Sequence, residues 1–224
     1  MSPPKKKKIV LITGASRGFG FQVAISLAEK NLHLIITSRT VGALESLSDK
    51  IVASGSTVTI APLDLGKEKD FQIVARSIYE RFGAIDILIH SASSAIPMAP
   101  IETIQKNELI NFFQNTFMTQ QVIKMTDPLL KKDPSSLALF IQDSNKYRSN
   151  KFFGFYNADR MASAEIVTAY AAERKRLGPT ILTFNPKPMP TKIRSVLFPG
   201  ENKAKLSTCE IEAKKMVKSI SSFI

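Results

Sequence analysis

The feature of this sequence that most constrains its fold is the alternation of short apolar runs with longer segments of helical periodicity. The apolar runs are aliphatic or β-branched, and we predict strands at residues 9–13, 34–38, 57–61, 85–90, 137–141 and 180–185. Runs that are apolar at nearly every position are typical of parallel strands covered on both faces, because a strand with one wet face alternates. We therefore expect each of these strands to be buried.

Helical segments separate these strands and are predicted at residues 19–29, 41–53, 69–82, 108–131 and 156–177, with a last one near 210–220. Repeated βα units predict an α/β fold, a doubly wound parallel sheet in three layers with helices on both faces. The chain has 224 residues, of which 44% are hydrophobic, which is enough for one sizeable core but short for two. We expect a single domain over residues 1–224.

Composition excludes several classes of protein. The one cysteine, Cys209, cannot form an internal disulfide, and with His33 and His90 as the only histidines there is no basis for a Cys/His metal cluster. No apolar run reaches the roughly eighteen residues of a membrane span. The basic residues 5–8 lead straight into a strand without a cleavable apolar region, so we expect a cytoplasmic protein.

The net charge of +12 raises the alternative of nucleic-acid binding. Much of the excess charge lies in short runs at residues 5–8, 131–132 and 174–176, and no aromatic residues are interleaved with them as a nucleic-acid motif requires. Solvated surface charge explains these runs better, so we rank nucleic-acid binding last.

A glycine-rich turn follows the first predicted strand. Gly14, Gly18 and Gly20 permit a tight turn and close backbone approach, and a helix begins at once, so its first amides and its dipole favour an anion. A glycine cluster alone indicates only a tight turn. Its place after a strand, before a helix and at the start of βα repeats predicts a site for a dinucleotide pyrophosphate, with Ser16, Arg17 and Phe19 in the same turn.

The spacing Gly14-x-x-x-Gly18-x-Gly20 resembles that of the short-chain dehydrogenase/reductase family. Further resemblances follow in order along nearly the whole chain: Asp64-Leu65, similar to the family's adenine-contacting pair; Asn115, similar to its helix asparagine; Tyr156, which begins a Tyr-x-x-x-basic element; and residues 185–191, similar to an Asn-Pro-Gly-x-x-x-Thr segment that closes over nicotinamide. The resemblance implies a Rossmann-type fold and cofactor contacts from Asp64, Leu65, Ser91, Ala92, Pro186 and Thr191.

The end of the second predicted strand indicates which nicotinamide cofactor binds. An acidic residue at this position would hold a ribose 2′-hydroxyl, but Ser38-Arg39 stands there instead. A guanidinium can hold a 2′-phosphate through two charge-assisted hydrogen bonds, and Arg17 offers a second cation. We therefore predict NADP (NADPH) over NAD, the alternative being that either arginine merely faces solvent.

The resemblance also implies a reaction centre, in which a tyrosine is the general acid, a lysine four residues later lowers its pKa, and a serine thirteen residues earlier orients the substrate. Tyr156 is present, but Arg160 stands in place of the lysine and Asp143 in place of the serine, with Ser144 next to it. A carboxylate here raises the pKa of a phenol and repels an oxyanion. Two arrangements would relieve this: Ser144 takes the serine's role through a bulge, or Asp143 pairs with Arg160.

Other positions depart from the family's pattern. Residues 90–93 replace its Asn-Asn-Ala-Gly turn, and Lys187 replaces the glycine of its Pro-Gly pair. His90 is a catalytic base or, as is commoner, a structural histidine. The phenylalanines at 152, 153 and 155 line a substrate pocket or pack beneath the loop, and packing is slightly favoured.

The C-terminal part provides a lid in the family, and residues 192–205 are polar and helix-poor enough to form one. Family members end in a further strand, which we expect to be missing here, and this leaves at most a homodimer formed through the long helices. The leading hypothesis is an NADP-dependent oxidoreductase acting on a small carbonyl or alcohol, with Tyr156, Arg160, Ser144 and Asn115 at the reaction centre. The alternative is a catalytically silent relative with a binding or regulatory role.

Overall fold

In the computed structural model, which describes residues 7–96, 98–130, 135–143, 150–176 and 178–224, six strands form one sheet. Its order is β3-β2-β1-β4-β5-β6 and every neighbouring pair is parallel. The strands are β1 (Lys8–Thr13), β2 (Leu32–Thr37), β3 (Thr57–Ile60), β4 (Ile87–His90), β5 (Leu137–Ile141) and β6 (Thr180–Phe184). The predicted doubly wound parallel sheet is confirmed.

Two hydrophobic cores lie on opposite faces of the sheet. Val10 and Ile12 of β1 belong to one core, with residues of three helices: α1 (Gly18–Ala28), α2 (Val41–Ala53) and α8 (Cys209–Ser219). Ile9 and Leu11 belong to the other core, with residues of α3 (Glu68–Phe82), α5 (Gln114–Leu130) and α6 (Gly154–Arg174). Alternate side chains of a strand point to opposite faces. The continuous apolar run of β1 therefore exists because both faces of the strand are covered.

The helices flank the sheet, and most begin and end within a few residues of the predicted bounds. They are α1 (Gly18–Ala28), α2 (Val41–Ala53), α3 (Glu68–Phe82), α4 (Leu109–Phe112), α5 (Gln114–Leu130), α6 (Gly154–Arg174), α7 (Lys192–Leu197) and α8 (Cys209–Ser219). The single helix predicted over 108–131 is interrupted at Phe113, whose backbone leaves the helical region at φ −106° and ψ 30°. No helix of the described ranges is long and apolar enough to cross a membrane.

The prediction that every strand is buried is wrong for β3 and β6. Residues of β3 are exposed or half-buried, and in β6 Thr180, Leu182 and Thr183 are exposed. These two strands form the two edges of the sheet, so each has a neighbour on one side alone. No further strand lies between α8 and Ile224, as predicted, which leaves β6 at the edge.

The prediction of a helix-poor segment over 192–205 is also wrong. The segment contains α7 and a 3₁₀ turn at Lys203–Lys205. Thr191 caps α7 by accepting a hydrogen bond from the Arg194 amide at 3.2 Å. A close ion pair between Arg194 and Glu201 then ties α7 to the residues that follow it.

The glycine turn after β1 packs against the segment after β4. Gly14 has φ +71°, and a Cβ added to it would lie 2.6 Å from the Ala92 Cα. A Cβ on Gly20 would lie closer to the Gly14 carbonyl oxygen than the sum of the van der Waals radii of the two atoms. Glycine at 14 therefore meets both a conformational and a steric demand.

Three Gly→Ala substitutions should separate these two demands. Gly14→Ala has the positive φ and the backbone clash, Gly55→Ala has a positive φ of +85° in open space, and Gly42→Ala has neither. Since a left-handed residue with a Cβ costs about 1–2 kcal/mol, we expect Gly55→Ala to lose that much in free energy of unfolding and Gly14→Ala to lose more. Gly42→Ala should gain about 0.5–1 kcal/mol because it lies inside α2.

Urea denaturation of the three variants and the parent chain measures these differences. Equal losses at Gly14 and Gly55 would show that the contact with Ala92 carries no steric cost.

Candidate functional site

A cleft of about 580 Å³ runs along the carboxyl ends of the strands. This size lies within the range of ligand-binding clefts, and the carboxyl edge is where doubly wound sheets bind ligands. The cleft is lined by all the residues that the sequence predicts to contact a cofactor: Gly14, Ser16, Arg17, Gly18, Phe19, Gly20, Ser38, Arg39, Asp64, Leu65, Ser91, Ala92, Pro186 and Thr191.

The glycine turn presents the first turn of α1 to the cleft. Gly18 and Phe19 begin the helix, where backbone amides have no acceptor within the helix. The Phe19 ring points away from this turn and is stacked on Phe184 at 6.2 Å between ring centroids. Across the cleft, Thr191 faces Gly18, since a Cβ on this glycine would lie 3.6 Å from the threonine methyl group. The turn is thus a backbone surface suited to an anion.

The end of β2 places a cation at the cleft. The buried Ser38 accepts the Thr40 amide at 3.1 Å, which fixes the bend between them, and Arg39 at this bend is exposed. Arg17 is exposed as well, and both arginines line the cleft. Beyond β3, Asp64 accepts the Gly66 amide at 3.0 Å, whereas Leu65 is buried in the core.

Tyr156 and Asp143 are in direct contact. The Tyr156 hydroxyl donates a hydrogen bond to Asp143 Oδ2 at 2.7 Å, and the tyrosine is 2% exposed. Burial raises the pKa of Tyr156 to about 12; the charge of the nearby Arg160 opposes this increase, and the charge and hydrogen bond of Asp143 add to it. The phenol is therefore protonated at neutral pH, and its proton is directed at the carboxylate.

Arg160 is directed to Ser93 and does not pair with Asp143, so the structure does not show the salt-bridge arrangement, one of the two alternatives that the sequence left open. Its Nη2 donates to Ser93 Oγ at 2.8 Å, and its guanidinium carbon lies 5.7 Å from the centroid of the Tyr156 ring. Arg160 Nε is buried without an acceptor among the described residues. The other arrangement, with Ser144 in the serine's role, lies outside the described residues.

Asn115 does not line the cleft but holds the residues that do. Its Oδ1 accepts from Ser93 Oγ at 3.0 Å and from the Ser94 amide at 2.8 Å, and its Nδ2 donates to Asp159 Oδ2 at 2.7 Å. Asp159 is completely buried and also accepts from the amide and hydroxyl of Thr116. Sequence reasoning missed Asp159, although its place one turn after Tyr156 on a helix facing Asn115 was an available signal.

His90 is a structural histidine. Its Nδ1 shares a hydrogen bond of 2.8 Å with Thr13 Oγ1, and its ring packs edge-on against Phe140. Burial, with a smaller contribution from the charge of Arg160, lowers the pKa of His90 to about 3. His90 does not line the cleft, so its role as a catalytic base is wrong.

The segment after β6 is fixed from behind by a second buried carboxylate that sequence reasoning missed. Glu212 of α8 accepts from the Lys187 amide at 3.0 Å and from Ser207 Oγ at 2.8 Å. Its pKa is lowered because hydrogen bonds from Lys215, Lys187 and Ser207 outweigh the opposing effect of burial. Lys187 does not adopt the left-handed backbone conformation. Its backbone conformation therefore does not require the glycine of the family's pattern.

An apolar cluster surrounds the Tyr156 end of the cleft. Phe153, buried, contacts the Tyr156 ring at 5.9 Å between centroids, and Phe155 packs on Phe112 at 4.8 Å. The exposed Phe152 has φ +69°. Two of the three phenylalanines therefore pack against other aromatic rings, and none of the three lines the cleft.

Comparisons with known proteins agree with this geometry. A family model described as short chain dehydrogenase matches residues 8–202. An uncharacterized oxidoreductase of Listeria innocua is 34% identical over 103 residues, 46% of this chain and 41% of that relative, so the match spans less than half of the relative's length.

Two solved structures show the same fold. An alcohol dehydrogenase from Thermococcus sibiricus complexed with 5-hydroxy-NADP is 22% identical with a TM-score of 0.84, and the alignment covers 96% of this chain and 91% of the other. A short-chain dehydrogenase from Shigella flexneri is 24% identical with a TM-score of 0.83, covering 93% and 84%.

The neutral buried His90 predicts a pH dependence of stability. The pKa of His90 is about 3 in the folded chain against 6.5 for an ordinary histidine, so between these values the unfolded chain binds the extra proton. Stability is therefore complete above pH 6.5 and falls as the pH falls toward 3, by about 1.4 kcal/mol per pH unit. Between pH 7.5 and 5.5, His90→Gln should lose about 1 kcal/mol less free energy of unfolding than the parent chain.

Urea denaturation at the two pH values measures this difference directly. An identical pH dependence in the variant would mean that the pKa of His90 in the folded chain is not lowered from its ordinary value.

Proposed function

Since this chain belongs to the short-chain dehydrogenase family, we propose that it is a single-domain NADP-dependent oxidoreductase that transfers hydride between nicotinamide and a small-molecule substrate. The family resemblance implies a carbonyl or an alcohol. The observation that carries the proposal is that Arg39 stands at the end of β2, beside the glycine turn, where NAD-binding chains need a carboxylate.

The residues present fit a dinucleotide with a 2′-phosphate. Gly14 and Gly20 leave backbone where a side chain would fill the turn, and the first amides of α1 face the cleft. Arg39 and Arg17 are exposed cations on its wall, suited to a phosphate. The 5-hydroxy-NADP of the Thermococcus structure supports the same cofactor. When bound, NADPH would supply a hydride at its nicotinamide.

The reaction centre would lie at the other end of the cleft. Tyr156 touches the reacting group in this proposal, with Arg160 beside it. Ser144, which lies outside the described residues, is the proposed substrate-orienting serine, and Asn115 is a positioning residue because it holds Ser93 and Ser94. Pro186 and Thr191 would enclose the nicotinamide, since both line the cleft in the segment that follows β6. The long helices α5 and α6 remain our proposed contact for a homodimer.

A second candidate function is supported by the bond between Tyr156 and Asp143. A phenol with a pKa of about 12 that is bonded to a carboxylate is a poor proton donor to a ketone oxygen. The chain would then bind NADP without reducing carbonyls, as a silent relative with a binding or regulatory role. The two candidates share the cofactor and differ in turnover.

Titration with NADPH and with NADH, followed by nucleotide fluorescence at fixed salt, tests the cofactor. We expect NADPH to bind more tightly, and Arg39→Ser to weaken NADPH by about tenfold or more, because a charge-assisted hydrogen bond contributes about 1.5–3 kcal/mol. NADH binding should change little.

Arg76→Ser is the matched control, because Arg76 lies on α3 with its side chain 80% exposed and away from the cleft. An equal loss of NADPH affinity in both variants would show that the change in net charge, and not the position of Arg39, causes the effect. Failure of the parent chain to bind either nucleotide would overturn the proposed function.

A further inference from the structure

The substitution of greatest chemical consequence in the cleft is Asp143. It follows β5 at the carboxyl edge, lines the cleft and accepts the Tyr156 hydroxyl at 2.7 Å. A carboxylate has two oxygens and about four acceptor positions, so it can hold Tyr156 and still accept a donor from a ligand. Among the described residues that line the cleft, the other carboxylate is Asp64, which lies at the far end beside Gly66.

This carboxylate stands where reduction of a ketone would build negative charge. Hydride addition to a carbonyl carbon leaves an oxyanion, which needs a hydrogen-bond donor and a positive potential. Asp143 provides neither a hydrogen-bond donor nor a positive potential. It also accepts the hydrogen bond that the Tyr156 hydroxyl donates. Arg160 is directed to Ser93 instead of to Asp143.

The same arrangement favours a substrate that carries positive charge before hydride transfer. We propose that the substrate of this site is an iminium ion, a protonated imine whose N–H bonds to the Asp143 carboxylate, and that it is reduced to an amine. This inference rests on the proposed function of NADP-dependent hydride transfer and narrows its substrate from C=O to C=N.

The step balances without a proton donor. The iminium carbon accepts the hydride with its electron pair, the π electrons of the C=N bond become the nitrogen lone pair, and the positive charge passes to the nicotinamide. The N–H that bonds to Asp143 stays on nitrogen throughout. Tyr156 holds the carboxylate in place and transfers no proton, which is consistent with its pKa of about 12.

The neighbouring wall sets the remaining chemistry of the substrate. Met118, Ile141, Val196 and Leu197 line the cleft; Ile141 lies two residues before Asp143, and Leu197 belongs to the apolar cluster with Tyr156. An apolar group attached to the C=N unit would bury surface against them. A fused aromatic ring imine, 3,4-dihydroisoquinoline in its protonated form, meets both demands.

The first experiment measures binding without turnover. Isothermal titration calorimetry compares 1,2,3,4-tetrahydroisoquinolinium, the protonated form of the amine product, with neutral 1-tetralol on the chain saturated with NADPH, which cannot oxidise either compound. We expect the cation to bind at least about tenfold more tightly, and Asp143→Asn to remove this preference, because a charge-assisted hydrogen bond is worth about twice a neutral one. Glu165→Gln, on the exposed side of α6, is the matched control and should retain it.

The second experiment compares turnover of 3,4-dihydroisoquinoline and 1-tetralone with NADPH. We expect the parent chain to reduce the imine and Asp143→Ser to lose at least about tenfold in its kcat/KM while gaining on the ketone. Circular dichroism and retained NADPH binding show that the variants fold, and the comparison of the two ligands on the parent chain needs no variant.

The outcomes separate this inference from the proposed function. NADPH binding with a preference for 1-tetralone, or equal binding of cation and alcohol, would overturn the iminium substrate and leave the oxidoreductase intact. Absence of NADPH binding would overturn both.

Discussion

The arrangement of the site depends on the buried carboxylate of Asp159. It is completely buried between α5 and α6, and a carboxylate in such a place is stable only when its oxygens accept hydrogen bonds. Three donors from Asn115 and Thr116 satisfy it. The bond to Asn115 leaves the other end of this amide to hold Ser93 and Ser94. A single buried charge thus fixes the helix that carries Tyr156 against the loop after β4.

Arg160 takes its orientation from this same network. Ser93 Oγ donates to Asn115 and accepts from Arg160 Nη2, so the guanidinium is drawn toward the β4 loop. A lysine at this position has a compact ammonium without the planar fork of a guanidinium, so it would direct its donors differently. Two departures from the family's pattern therefore act together. Ser93 stands in place of the family's glycine, and its hydroxyl accepts the hydrogen bond from Arg160.

Much of the fold follows from the sequence, because a strand covered on both faces must be apolar at nearly every position. The apolar runs that result from this requirement predicted all six strands. They include β1, in which successive residues lie in two different cores. The same demand misled at β6, where Thr180 and Leu182 have the composition of a buried strand but lie at an edge. Edge position depends on which strands pair, and no local pattern of residues records it.

The residues that line the cleft around the glycine turn were predictable for a similar reason, since glycines and a cation act through local backbone and charge. The residues that were missed, Asp159 and Glu212, are buried charges whose partners lie 44 and 25 residues away in sequence. A charged residue is normally solvated, so sequence alone assigns it to the surface. The contact of Asp143 with Tyr156 instead of Arg160 belongs to the same class, because it depends on the partner that Ser93 provides for the arginine.

The charges at the reaction centre then decide which chemistry the cleft can support. A serine, tyrosine and lysine together carry one positive charge, which favours the anion that forms from a ketone. An aspartate, a tyrosine and an arginine together carry no net charge. The negatively charged residue of the three, Asp143, is the one bonded to the tyrosine hydroxyl. Coulomb energy falls with distance, so a substrate group bonded to Asp143 interacts more strongly with this carboxylate than with the guanidinium of Arg160, whose Nη2 is held by Ser93. A substrate that brings its own positive charge and gives it up to the cofactor completes this balance, whereas one that gains negative charge opposes it.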